Sequence, residues 1–216
     1  MYVDFGIKPR SVEELSIMLD RLRFMGYKVV VLDIGSGVDV GEARREAEKR
    51  GVRLLTKVVI KASTRRDARR GLDSAPKADV VVLQPTGLDA ARYAAANKRV
   101  HAVKVEPGYE KIVDRGELRI LRAKGFGGFE VSLAHAVRGL DVGVIRFYYR
   151  VFRRSYALKA PLAVSSDAES LLDLWEPHSA AAFIAGVAGI PYRVALRWLG
   201  SSIGVIAPGT WGNSRS

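Results

Sequence analysis

Seven short apolar runs punctuate the chain: YVDFGI (2–7), KVVVLDIG (28–35), VRLLTKVVI (52–60), ADVVVLQP (78–85), RVHAVKVEP (99–107), GFEVSLA (128–134) and PLAVSSDA (161–168). Several are apolar almost without interruption, as parallel strands buried on both faces are. Between them apolar residues return every three or four positions, the period of a helix with one buried face. After the first run, Ser11 stands three residues before Glu14, the spacing of a capping box. Leu15, Met18, Leu19 and Leu22 give that helix its apolar face, and Gly26 ends it. Further helices are predicted over 41–50, 65–72, 88–97, 117–123, 142–160, 177–187 and 191–199.

The strands recur at spacings of roughly 20 to 33 residues, as βα units require. Right-handed crossovers then leave a closed (β/α) barrel or an open doubly wound sheet. No G-x-G-x-x-G turn follows the first strand and no P-loop occurs, which favours an irregular TIM-like barrel. Nothing resembles an interdomain linker. One domain is expected over 1–207, with a loose Gly/Ser-rich tail over 208–216. The beginning of the chain lacks signal-peptide order and no apolar run is long enough for a membrane span, so a cytoplasmic protein without membrane contact is expected.

Composition narrows the chemistry. There is no cysteine, which removes disulfides, thiolate metal sites and cysteine nucleophiles. The three histidines, His101, His135 and His178, are widely separated and form no H-x-H pair, so a histidine-rich metal centre is not expected. No G-x-S-x-G elbow supports serine catalysis. The formal charge of +12 predicts attraction to a polyanion. A thermophile composition would explain many charges but not this imbalance of sign.

Two readings follow. At the strand ends and within strands lie Asp4, Asp33, Lys57, Lys61, Lys104, Glu106, Glu130, Ser165, Ser166 and Asp167. A barrel-mouth lysine, Lys57 or Lys104, could form a Schiff base with Asp33 as acid or base, giving a stand-alone lyase or isomerase for a phosphorylated small molecule. Mutual pairing of lysines and carboxylates is the plainer outcome. The basic helices point elsewhere. From residue 142 to 160 there are five cations, Arg146, Arg150, Arg153, Arg154 and Lys159, and no acid. At about 100° per residue the four arginines share one stripe, and Ile145, Tyr149, Phe152 and Tyr156 share a neighbouring stripe expected to be mostly core. TRRDARR places Arg65, Arg66, Arg69 and Arg70 together with only Asp67 among them. Guanidinium forks suit phosphate, and with Lys57, Lys61 and Lys104 these residues could track a nucleic-acid backbone, although a basic surface fits RNA, DNA, a membrane or a ribosome equally well.

The order of motifs resembles the ribonuclease P protein component 3 family, archaeal relatives of the thirty-kilodalton protein subunit of the eukaryotic enzyme. The similarity is carried by YVDFGI, GFGGFEVSLAHAVRG, RFYYRVFRRSYALKAPLAVSSDA and WEPHSAAAFIAGVAGIPYRVALRWL, in order along nearly the whole chain. It implies a barrel of the polymerase-and-histidinol-phosphatase type. It also implies a non-catalytic, RNA-binding subunit of the ribonucleoprotein that removes the 5′ leader from precursor tRNA. The chemistry and the magnesium would belong to the RNA, with no cofactor on the protein. The implied partners are the ribonuclease P RNA, another small protein subunit and, through the complex, precursor tRNA. By position Arg146, Arg150, Arg153, Arg154 and Lys159 match the family's basic helix, and Ser165 and Ser166 its S-S strand end, where RNA contact and a turn are both open. One departure is Asp167, where the family usually has glycine.

Overall fold

The computed structural model describes residues 1–206, with side chains through residue 200. The tail expected over 208–216 lies outside the described residues. In chain order the elements are β1 (Tyr2–Ile7), α1 (Val12–Phe24), β2 (Tyr27–Asp33), α2 (Val40–Lys49), β3 (Arg53–Ala62), α3 (Arg65–Ser74), β4 (Val80–Pro85), α4 (Leu88–Ala96) and β5 (Ala102–Val105). There follow α5 (Arg115–Lys124), β6 (Gly128–Ser132), α6 (Ala134–Arg138), α7 (Val142–Leu158), β7 (Leu162–Ser165), α8 (Pro177–Ala188) and α9 (Tyr192–Ile206). The short helix α6 occupies a stretch where the sequence predicts only a turn.

Helix starts follow their capping residues. Ser11 accepts from the Glu14 N–H, but the Glu14 carboxylate reaches back to the Arg10 N–H at 2.7 Å, so only half of the expected box forms. The reciprocal box is found instead at Thr64 and Asp67, at the head of α3.

The seven strands form one parallel sheet in sequence order, which curls until its edges meet. Ile7 bridges Ala168, and the Lys8 N–H donates to the Ala168 carbonyl at 2.7 Å. Side chains complete the seam: Asp4 accepts the Ser166 N–H at 3.0 Å, and the Ser166 hydroxyl donates to the Gly6 carbonyl at 3.1 Å. α9 packs against both seam strands. The result is a nearly closed (β/α) barrel with seven strands among the described residues, against eight in a regular one.

Side chains alternate across each strand, so every strand feeds two layers. Val30 and Leu32 of β2 pack outward with Leu15, Leu19 and Ala43 of the covering helices. Phe5, Val31, Val80, Val82, Ala102 and Ala163 form a separate cluster. They come from strands that are not all neighbours, and such residues can meet only inside the barrel. The lumen is therefore filled with side chains.

Candidate nucleic-acid interface

Above that apolar plug the lumen turns ionic. Lys57 on β3 donates to Glu130 on β6 at 2.7 Å and to Asp167 beyond β7 at 3.1 Å. Lys104 on β5 donates to the other oxygen of Asp167, and its ammonium lies 3.6 Å from Glu106. Glu106 in turn meets His135 at 2.7 Å. Ser165 donates to Glu130 at 3.0 Å. The Lys57 side chain is 0% exposed and the Lys104 side chain 4%. Burial works against both ammonium groups, yet the carboxylates of Asp167 and Glu130 outweigh it and hold both lysines above their ordinary range. Burial likewise raises Asp167, but Lys57, Lys104 and Lys8 outweigh it, and the carboxyl lies well below the usual carboxylate range.

These facts correct two expectations. A Schiff-base lysine needs a free amine and room for a carbonyl substrate. Lys57 and Lys104 are enclosed, charged and bound to carboxylates, so the stand-alone lyase or isomerase has no support. Lys57, Ser165 and Ser166 are also buried, which removes them as RNA contacts. Their polar atoms are used by Glu130, Asp167 and the barrel seam. Asp167 has a left-handed backbone, φ 45°, the region that favours glycine. Here an aspartate holds that conformation and places its carboxylate between two lysines.

Gly6 is required by the same cluster. A Cβ at this position would lie 2.2 Å from the Lys57 ammonium and 2.7 Å from Asp167 Oδ1. Gly6→Ala is expected to lower stability by at least about 1–3 kcal/mol through overpacking, read as a fall in the urea midpoint; an unchanged midpoint would contradict this packing.

Asp4 behaves differently. Its Oδ1 accepts from Gly6 and Ser166, while its Oδ2 has no hydrogen-bond partner among the described residues. Burial raises this carboxyl to about 6, and the Ser166 and Gly6 hydrogen bonds only partly oppose it. The folded chain thus holds the Asp4 proton more tightly than the unfolded chain. This contribution to stability is present below about pH 4 and is lost as pH rises through about 6. The loss is worth roughly 3 kcal/mol over that interval. Asp4→Asn is expected to remove that fall from the stability-versus-pH curve, and an unchanged slope would count against it.

The basic residues lie outside the barrel. On α7, Phe147, Tyr148, Val151, Phe152 and Ser155 face the core. Ile145, Tyr149 and Tyr156, expected to be mostly core, are exposed; only Phe152 of that stripe is buried. The buried face lies opposite the arginines, whereas the stripe of Tyr149 and Tyr156 adjoins them. Arg146, Arg150, Arg153 and Arg154 are all exposed. Arg150 donates to the Glu110 carboxylate at 2.8 Å, and Arg154 to the Glu110 carbonyl at 3.1 Å. Burial raises Glu110, but its bond to Arg150 and a backbone hydrogen bond more than compensate, and its carboxyl sits below the usual value. Arg153 donates to the Gly189 carbonyl at 3.1 Å, and Arg146 has no partner among the described residues. Glu110, which sequence reasoning passed over, anchors two of the four guanidinium groups. Lys159 caps the helix, exposed and in a left-handed conformation.

The second cluster is also exposed. Arg65 lies over the Tyr93 ring at 5.5 Å, Arg69 lies 4.0 Å from Asp73, and Arg66 and Arg70 make no side-chain hydrogen bond or close ion pair among the described residues. Lys61 is exposed at the end of β3. In barrel order α4 and α5 stand between α3 and α7, so the two arginine clusters occupy separate helices that do not adjoin.

Residues 1–195 match the sequence profile of RNase P subunit p30. The chain belongs to that family. Among its relatives, ribonuclease P protein component 3 of Aeropyrum pernix is 36% identical over 199 residues, spanning 90% of each chain. The fold is shared with a chain in a cryo-EM structure of archaeal ribonuclease P with mature tRNA, at a TM-score of 0.75 and 14% identity over 94% of this chain and 89% of that one. For a p30 family member the division of labour inside this chain is clear. The lysines of the lumen are bound to its carboxylates, and the arginines of α3 and α7 are exposed. No group of three or more His, Asp or Glu side chains suited to a metal ion occurs among the described residues.

Proposed function

We propose that this chain is a non-catalytic, RNA-binding protein subunit of the ribonuclease P ribonucleoprotein, which removes the 5′ leader from precursor tRNA. The observation that carries the proposal is α7, where four exposed arginines stand on a helix without a single acid along its length. Such a face attracts phosphate, and Glu110, set against it from outside the helix, offsets one of its four charges. The lumen supports the same role from the other side, since its lysines are consumed by carboxylates rather than offered to a substrate. In this role the partners are the ribonuclease P RNA, a second small protein subunit and precursor tRNA held by the complex. Magnesium serves the RNA, the protein carries no cofactor, and the setting is the cytoplasm.

Reconstitution tests it. The ribonuclease P RNA and protein subunits of the source organism are combined with precursor tRNA at limiting magnesium, with and without this chain. Leader removal is expected to fall on omission, to return with wild type, and to stay low with Arg150, Arg153 and Arg154 changed to Ala. Cleavage that is indifferent to omission would refute the role.

A further inference from the structure

The exposed side of α7 carries more than charge. Tyr149 is 50% exposed and Tyr156 37% exposed. They are seven residues apart, two helical turns or about 10 Å, and so lie on one side of the helix. The neighbouring Tyr148 is a useful contrast: it is buried, its hydroxyl donates to the Ser132 carbonyl at 2.8 Å, and its ring stacks on Phe152. Tyr149 makes no hydrogen bond or ring contact among the described residues. Tyr156 makes no side-chain hydrogen bond or ring–ring contact among the described residues, and the Arg153 guanidinium lies 6.0 Å from its ring centre. Two partly exposed tyrosines thus stand beside a row of exposed arginines.

We infer that this face of α7 binds unpaired nucleotides, the Tyr149 and Tyr156 rings serving as stacking platforms while Arg146, Arg150, Arg153 and Arg154 take the phosphates; the inference rests on the RNA-binding role proposed above. In a duplex both faces of each base are covered by neighbouring bases, so an aromatic ring gains little from it. An unpaired base offers its whole face, and stacking on an aromatic side chain adds affinity without reading sequence. The interleaving of aromatic rings and guanidinium groups is the chemistry that single-stranded nucleic acid selects. A protein partner is the weaker candidate, because docking on this face would bury four like charges and require matching acids.

The test uses the full chain and fluorescence anisotropy with two probes, a short oligoadenylate and an RNA duplex of the same length. Tyr149→Ala with Tyr156→Ala is expected to weaken oligoadenylate binding by about tenfold or more, with duplex binding and the salt dependence unchanged. Tyr149→Phe with Tyr156→Phe is expected to keep wild-type affinity, since the ring face remains. Equal losses for both probes, or no loss for either, would overturn the inference. So would a double-Ala variant that binds both probes normally but no longer associates with the second protein subunit, which would make the stripe a protein interface. A wild-type chain that binds neither probe in a salt-dependent way would take down the RNA-binding role itself, a result distinct from any change in the tyrosine variants.

Discussion

Lys57→Met is expected to destabilise the fold by about 3–5 kcal/mol, because it leaves charged groups buried without their partner. Glu130 would keep one hydrogen bond among the described residues, from the Ser165 hydroxyl at 3.0 Å, and the more distant charge of Lys104. Asp167 would retain Lys104 and, at 3.9 Å, Lys8. The Lys57–Glu130 bond also crosses the lumen between β3 and β6, strands that share no backbone pairing, so the substitution removes a cross-tie as well as a charge pair. Replacing both members, Lys57→Met with Glu130→Met, is expected to recover much of the stability, since neither charge then remains to be desolvated. Urea denaturation of the two single variants and the double variant closes the cycle. A Lys57→Met protein as stable as wild type, or a double variant whose destabilisation is the plain sum of the singles, would contradict a coupled buried pair.

The second large effect is on RNA. Changing Arg146, Arg150, Arg153 and Arg154 together to Ala is expected to weaken binding of the ribonuclease P RNA at low salt by about a hundredfold or more. The plot of log affinity against log salt is expected to become shallower by roughly three, at about 0.7 for each single-stranded phosphate that is no longer neutralised. The fold should survive with some loss of stability, because the buried face of α7 is untouched while buried Glu110 loses its Arg150 partner. A quadruple variant with wild-type affinity and slope would move the RNA-binding surface off α7. The corresponding changes at Arg66 and Arg70, on a helix separated from α7 by α4 and α5, then show whether α3 also touches the RNA.

Much of the architecture is legible in the residues. Continuous apolar runs mark the strands, a three-to-four-residue period marks the helices, and Ser11 marks the start of α1. The aromatic stripes of α7 show where such signals stop. Two stripes compete there, one with Tyr149 and Tyr156, the other with Phe147 and Tyr148. Both satisfy the helical period. The arginines hold the deciding clue, since a core face lies opposite a strongly charged face and not beside it. Glu110 gives no signal of its own, because its arginine partners lie 40 and 44 residues further along.

The sequence by itself determined the alternation of strand and helix, the absence of thiolate chemistry, the excess of positive charge and the membership in a recognisable family. Those properties are local or additive, and each can be read from neighbouring residues or from a sum. Only the tertiary structure decided which lysines are available to a partner. Lys57 meets acids 73 and 110 residues away, and it can do so only after β3, β6 and β7 have curled around one lumen. Arg146 and Lys57 carry the same charge, but barrel closure places one in solvent and the other among carboxylates. Strand registry and closure set that difference, and both depend on residues too distant in the chain for periodicity to record.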